Sequence, residues 1–277
     1  MLVSLTQILA YAEEQHCAIG AFNTPNLECI SAVLRAASEQ STPVILSHAQ
    51  LHETVSPLSV IGPVMVHLAE RSGIPVCVHL DHCEDISYME KALDLGFTGV
   101  MYDGSMLPYA KNLENTCKAV ELAHRYGAGV EAEIGQLAAR EGGSDAAGPV
   151  YTDPDDALRF SRESGIDALA PSFGTSHGIY KSKPRLDIDR VSRISRLTAL
   201  PLVMHGGSGV SEEDYRRTIQ AGIRKINYYS YMAKAGFAAA EQVMHDPGAV
   251  FFHDLAKAAE EAMYQDAAKA ISVISMK

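Results

Sequence analysis

Eight short apolar runs recur along this chain, each followed by a longer segment with helical spacing. That alternation constrains the fold more than any other feature. The runs are Ala18–Phe22, Val44–Ser47, Val76–His79, Gly99–Tyr102, Val130–Ile134, Ala168–Ala170, Leu202–Met204 and Lys225–Asn227. They are apolar throughout rather than alternating, as expected of parallel strands buried on both faces. Helical spacing runs through Leu27–Gln40, Pro57–Ser72, Ile86–Leu95, Tyr109–Tyr126, Pro154–Ser164, Ile188–Leu197 and Glu212–Ala221. Glycine closes several of these segments, at Gly73, Gly96, Gly127, Gly165 and Gly222, and proline precedes strands at Pro43, Pro75 and Pro201. Both are helix-stop signals. Eight strand–helix units predict an α/β fold, a closed (β/α)8 TIM barrel, for which the 277 residues suffice. The domain expected spans residues 1–277, with an extra C-terminal helical region at Tyr229–His245 and Phe252–Ile274. An open doubly wound sheet is the alternative.

One stretch breaks the rhythm. Leu137–Tyr151 reads LAAREGGSDAAGPVY, longer than an ordinary connection after a strand. A loop folding over the site is the functional reading, and a disordered insertion is the plainer one.

Composition narrows the partners. The net charge of −11 disfavours nucleic acid and anionic membranes, which repel an acidic surface. Five cysteines without a C-x-x-C pair argue against a disulfide scaffold and fit a cytoplasmic protein. The N-terminus lacks the basic start and unbroken apolar run of a signal peptide, and no stretch approaches the roughly 20 apolar residues of a membrane span.

A barrel of this kind carries its chemistry at the C-terminal ends of the strands. Asn23, Asp81, His82, Asp103, Glu133, His177, His205 and Asn227 all fall at or just after such ends, with Glu131 inside the fifth strand. Metal ligation needs several lone pairs converging on one point, and three neutral imidazoles with an open fourth position form a catalytic zinc site. His82, His177 and His205 are the expected ligands. His79 shares a strand face with Asp81 and competes as a ligand or as a group that orients one, and His48 stays open. An ordinary surface or hydrogen-bonded role is the simpler reading for His16, His52, His67, His124, His245 and His253. The run His205-Gly206-Gly207-Ser208-Gly209 leads into a helix starting near Ser211. Exposed N–H groups at a helix N-terminus make an anion site, and phosphate sites of barrels often follow strands seven and eight. Lys181 and Lys183 are candidate cationic contacts, or ordinary solvated lysines.

These residues lie in segments that strongly resemble the class II, metal-dependent ketose-bisphosphate aldolases, and most of all their fructose- and tagatose-bisphosphate branch. The segments are VHLDH at Val78–His82, VEAEIG at Val130–Gly135, GTSHGIYK at Gly174–Lys181 and PLVMHGGSG at Pro201–Gly209. The resemblance implies a homodimeric or homotetrameric barrel with Zn2+ on His82, His177 and His205. It implies Asp81 as the catalytic acid–base group, and Asp103, Glu131 and Glu133 as carboxylates that hold the metal in alternative positions or orient its ligands. Glu141 matches a loop glutamate that handles the proton on the dihydroxyacetone-phosphate carbon. Gly178, Gly206, Gly207, Ser208, Asn227 and Ser230 match positions binding that phosphate moiety, and a monovalent cation, Na+ or K+, is usual nearby. Asn23 and Lys181 complete the substrate contacts expected.

Aldol cleavage needs a base for the C4 hydroxyl and an electron sink at the C2 carbonyl, which either a Lewis-acidic metal or a lysine Schiff base provides. Lys225 is the one lysine placed for the second route. Departures from the family pattern fall on substrate recognition. They are Tyr228 and Tyr229 after Asn227, Ala138, Ala139 and Gly142 in the long loop, and a C-terminal helix without arginine. The expected function is retro-aldol cleavage of a phosphorylated ketose. The alternatives are the same chemistry on another sugar phosphate and a non-catalytic subunit.

Overall fold

A computed structural model describes residues 1–137, 150–246, 248 and 251–277. Its eight strands are β1 (Ile19–Asn23), β2 (Val44–Ala49), β3 (Val76–Cys83), β4 (Gly99–Tyr102), β5 (Gly129–Ile134), β6 (Ala168–Pro171), β7 (Leu202–Met204) and β8 (Ile223–Tyr228). They pair in sequence order into a closed barrel, all parallel, and β8 returns to β1 with Asn227 beside Ala21. The helices between them are α2 (Leu27–Glu39), α3 (Leu58–Arg71), α4 (Ile86–Asp94), α5 (Tyr109–Arg125), α6 (Pro154–Ser164), α7 (Ile188–Thr198) and α8 (Glu212–Gln220). The expected barrel is therefore the observed one, and the open sheet is excluded.

The chain begins with a helix that the strand count passes over. Before β1, α1 (Leu5–Glu14) carries a capping box, with Ser4 Oγ accepting from Gln7 N at 3.2 Å and Gln7 Oε1 accepting from Ser4 N at 2.8 Å. Its apolar stripe Leu5, Ile8, Leu9 and Ala12 is fully buried against Ile19, Ala21, Ile45, Cys77, Ala168 and Val203 inside the barrel. Helix α1 thus plugs the N-terminal end of the barrel. Close approach explains two glycines there, because a Cβ on Gly99 or Gly129 would lie 2.9 or 3.1 Å from Leu5 Cβ.

Above this apolar plug the interior turns polar. His79, Asp81, Glu131 and Lys225 are wholly buried, with Glu133, His205 and Asn227 nearly so. The C-terminal region forms α9 (Ser230–Met244) and α10 (Phe252–Ile274). Helix α10 packs on α2, with Gln40 Nε2 donating to Ala268 O at 2.8 Å and the Arg35 guanidinium 3.8 Å above the Tyr264 ring. No helix among the described residues is long and apolar enough to cross a membrane.

Candidate active site

The third strand runs four residues past its expected end, and the extension places two functional side chains. Successive strand residues point to opposite faces, so Asp81 and His82 would ordinarily diverge. His82 instead has φ +45, and the register with β4 shifts between Leu80 and Cys83. A left-handed residue at such an irregularity costs conformational energy and re-aims a side chain. Here it turns His82 to the same opening as Asp81.

His177, on the loop after β6, and His205, just after β7, meet His82 there. His82 Nε2 lies 2.9 Å from His205 Nδ1 and 3.2 Å from His177 Nε2. The far side of each of two rings is tied to a carboxylate. His82 Nδ1 pairs with Asp103 Oδ2 at 2.8 Å, and His205 Nε2 with Glu131 Oε1 at 2.7 Å. With those protons given outward, the lone pairs of His82 Nε2 and His205 Nδ1 face one another, which requires a proton or a cation between them. Tetrahedral zinc at about 2.0–2.1 Å from nitrogen separates its ligand atoms by about 3.3 Å, close to the spacing seen. The three imidazoles form one group able to hold a metal; His82, Asp103 and Glu133 form a second, and Asp81, Glu131 and His205 a third.

Electrostatics favour a cation at this point. Burial works against charge on His82, but Asp81, Asp103 and Glu133 outweigh it and push its pKa up to about 10. His205 moves the other way, lowered by burial and by the neighbouring His82. Burial also opposes ionisation of Asp81, yet the neighbouring positive charges, His82 first and then Lys225, hold its carboxyl well below the usual carboxylate range. Asn227 Nδ2 donates to Asp81 Oδ1 at 3.1 Å and Oδ2 at 3.3 Å. Asp81 is therefore an ionised acceptor at the floor of the opening.

That opening is a cleft lined by Asn23, Asp81, His177, Gly178, Gly206, Ser208, Asn227, Tyr228, Tyr229 and Ser230. Close approach forces glycine at two successive positions, Gly206 on the cleft wall and Gly207 behind it. Gly206 has φ +63, and a Cβ there would meet Ser176 O at 2.3 Å; one on Gly207 would meet Ile226 Cγ2 at 2.6 Å and Asn227 O at 2.7 Å. The anion site expected at α8 is not where the cleft is. Helix α8 is capped by Ser211, and its first turn carries Glu212, Glu213 and Asp214, which repel an anion. Helix α9 starts in the cleft at Tyr229 and Ser230, with no side-chain cap and no acid in its first turn. Of these two helices, α9 is the one whose N-terminal dipole no acidic side chain opposes. Ser208 Oγ accepts from Tyr229 N at 2.8 Å, which leaves the hydroxyl proton of Ser208 for a ligand.

The cleft and its rim thus gather most of the residues singled out in the sequence, but not all. Lys181 is exposed and does not line the cleft, and Lys183 pairs with Asp214 Oδ2 at 3.2 Å instead. Glu141, with Ala138, Ala139 and Gly142, lies outside the described residues. Tyr228 braces the fold as well as lining the cleft, donating its hydroxyl to Asp266 of α10 at 2.8 Å. Tyr229 packs its ring 5.2 Å from that of His52, so His52, given an ordinary role above, is a buried backing to the cleft wall. His48 is buried beside β3, with Nε2 3.1 Å from Tyr88 Oη. His79 has no metal-facing place; its Nε2 lies 3.5 Å from Glu131 Oε2, and burial pushes its pKa down to about 3, leaving it neutral. Lys225, the Schiff-base candidate, is fully buried, 2.8 Å from Glu131 Oε2, and does not line the cleft.

An ionised carboxylate beside converging imidazoles, at the C-terminal mouth of a (β/α)8 barrel, is a constellation able to do acid–base chemistry next to a group that could hold a metal. Comparison with known proteins names the kind. The family model for class II fructose-bisphosphate aldolase matches residues 3–277. A probable fructose-bisphosphate aldolase of Bacillus subtilis is 40% identical over 229 residues, covering 82% of this chain and 80% of its own length. A fructose-bisphosphate aldolase of Staphylococcus epidermidis is 36% identical over 255 residues, 90% of this chain and 88% of its own. In three dimensions the YdjI aldolase from Escherichia coli K12 superposes with a TM-score of 0.89 at 31% identity, covering 99% of this chain and 97% of that one. The chain belongs to the class II fructose-bisphosphate aldolase family and is a carbon–carbon lyase of the aldolase kind.

Proposed function

We propose that this protein, acting as one domain over residues 1–277, cleaves a ketose phosphate reversibly to dihydroxyacetone phosphate and an aldehyde. Fructose or tagatose 1,6-bisphosphate is the substrate proposed. The observation that carries the reading is the carboxylate of Asp81, held ionised 3.1 Å from Asn227 Nδ2 at the floor of a cleft that ends on an open helix N-terminus.

In this mechanism His82, His177 and His205 would hold a divalent ion, zinc by the chemistry of the donor set, with Asp103 and Glu131 fixing the two rings they touch and Glu133 as an alternative ligand. When bound, such an ion polarises the ketose carbonyl. The substrate phosphate sits at the N-terminus of α9 against Gly178, Gly206, Ser208 and Ser230 of the cleft lining, with Gly207 as a further proposed contact, and a monovalent cation (Na+ or K+) there would add to the neutralisation. Asn23 and Asn227 orient the hydroxyls. Asp81 takes the proton from the C4 hydroxyl as the C3–C4 bond breaks, and that electron pair moves toward C2. Glu141 is proposed to return a proton to C3. Lys181 is retained only as an outer contact. The exposed Phe237, Met244 and Phe252 of α9 and α10 support a homodimer or homotetramer, readable by sedimentation.

A coupled assay across ketose mono- and bisphosphates tests the substrate, with activity on fructose or tagatose 1,6-bisphosphate expected. Tyr228 and Tyr229 on the cleft wall make another sugar phosphate the second reading, and preference for one would replace the first. Chelator is expected to abolish cleavage and added zinc to restore it. Covalent trapping by borohydride with substrate would refute the metal route.

A further inference from the structure

Beneath the imidazoles, the barrel buries a lysine that the reaction as derived does not use. Lys225 lies in mid-β8 with no exposure, and a buried ammonium is tolerated only when paired and hydrogen-bonded. Its Nζ is 2.8 Å from Glu131 Oε2 and donates to Asn227 Oδ1 at 2.7 Å. The second contact decides the orientation of an amide. With its oxygen held by the ammonium, Asn227 must point Nδ2 the other way, and that nitrogen donates to both oxygens of Asp81 and lies 3.1 Å from His205 Nδ1. The flipped amide would set NH2 against an ammonium and its oxygen against a carboxylate, two repulsive contacts in place of two attractive ones. The first contact acts in parallel, because the other oxygen of Glu131 accepts from His205 Nε2 at 2.7 Å.

We infer that Lys225 is a positioning residue for the aldol reaction: it fixes the polarity of the Asn227 amide, and through it the place of the Asp81 carboxylate. The inference rests on the aldolase reading of the cleft. Lys225 touches no substrate, and its effect on kcat passes through the Asn227 amide, while its contact with Glu131 balances the charge of the buried layer. Neither a salt bridge alone nor a packing role would make its contribution depend on the amide at position 227.

That dependence is the test. Cleavage is measured on zinc-loaded wild type, Lys225→Met, Asn227→Ala and the double variant, with zinc per chain and melting temperature recorded for each. Lys225→Met is expected to lower kcat by about 10²-fold, the cost of a misplaced catalytic group, with KM within about threefold and zinc retained. In the Asn227→Ala background the same change is expected to cost less than about threefold, because the amide it acts through is gone. Multiplicative losses, or a Lys225→Met variant as active as wild type, would overturn the role. If Lys225→Met does not fold, because the buried Glu131 charge has lost its cation and keeps only the His205 ring, Lys225→Met/Glu131→Gln keeps the layer neutral and takes its place in the cycle. A neutral pair that also fails to fold assigns Lys225 to stability alone and overturns the role as well. Wild type inactive on every ketose phosphate overturns the proposed function and this role with it; an active wild type with multiplicative losses overturns only this role.

Discussion

His82 Nε2 and His205 Nδ1 face each other at 2.9 Å while the opposite nitrogen of each ring is committed to a carboxylate. Without a metal, a proton is what reconciles them, and His82, with a pKa pushed up to about 10, is its holder. A metal must displace that proton. Zinc binding at pH 7.5 is therefore expected to release a proton, seen as a binding heat that changes with the ionisation heat of the buffer, and affinity is expected to climb with pH up to about 10. The sign for stability is opposite. A group whose pKa is raised on folding stabilises fully below its unfolded value near 6.5 and loses that contribution as pH rises to about 10. The metal-free protein should melt at falling temperature across that window. A flat melting temperature there would contradict the assignment.

The bond from His82 to Asp103 at 2.8 Å makes a second expectation. Asp103 is itself fixed, its Oδ1 accepting from Ser105 N at 3.1 Å and Ser105 Oγ at 2.7 Å. Removing a carboxylate that orients a ligand histidine typically weakens metal binding by about 10–100-fold. Asp103→Ala should show that loss in competition with a chromophoric chelator, and an unchanged affinity would mean that His82 is oriented by its backbone alone.

How far the sequence could be read follows from what each element depends on. The eight strands were legible because burial on both faces leaves an apolar run that needs no partner to be seen. Helix α1 was not counted, although Ser4-x-x-Gln7 and the spacing Leu5, Ile8, Leu9, Ala12 announce it; the barrel pattern begins only at β1. Asp81, His82, His177 and His205 were legible from their places at strand ends. The turn that lets Asp81 and His82 share one opening was not, since φ +45 on a histidine is a tertiary effect with no sequence signature. The helix end better suited to an anion is that of α9 rather than α8, because a glycine run marks a tight turn, whereas the charge of the following turn, acidic in α8, decides what a helix end attracts. In the sequence Lys225 reads as a candidate nucleophile; only its distances to Glu131 and Asn227 give it a structural partner set.

Asp81→Asn keeps the size of the side chain and removes its charge. If Asp81 is the base for the C4 hydroxyl, kcat should fall by about 10²–10⁴-fold with zinc content unchanged. A variant that cleaves at the wild-type rate would remove Asp81 from the proton transfer.

Gly206→Ala tests the cleft wall. A side chain at φ +63 is strained, and its Cβ would stand 2.3 Å from Ser176 O, a backbone atom that cannot step aside. Strain of this kind costs about 1–3 kcal/mol, so urea unfolding should shift by that amount. Because Gly206 O also receives the Tyr180 hydroxyl at 2.8 Å, displacement of the wall should raise KM for the phosphorylated substrate.

Helix α1 gives the complementary case, stability without chemistry. Ile8 is 1% exposed and packs inside the N-terminal end of the barrel, opposite the mouth that carries Asp81 and the histidines. Ile8→Ala removes buried carbon and leaves a cavity that the surrounding strands, locked by hydrogen bonds around the barrel, are poorly able to collapse. The expected cost is about 2–5 kcal/mol in metal-free urea unfolding. The kcat of the folded, zinc-loaded variant should stay within about twofold of wild type, because the polar layer of Lys225, Glu131 and His79 separates the plug from the cleft and is held by the Lys225–Glu131 pair and its hydrogen bonds to Asn227 and His205. A large loss of kcat would mean that the plug and the polar layer are mechanically coupled.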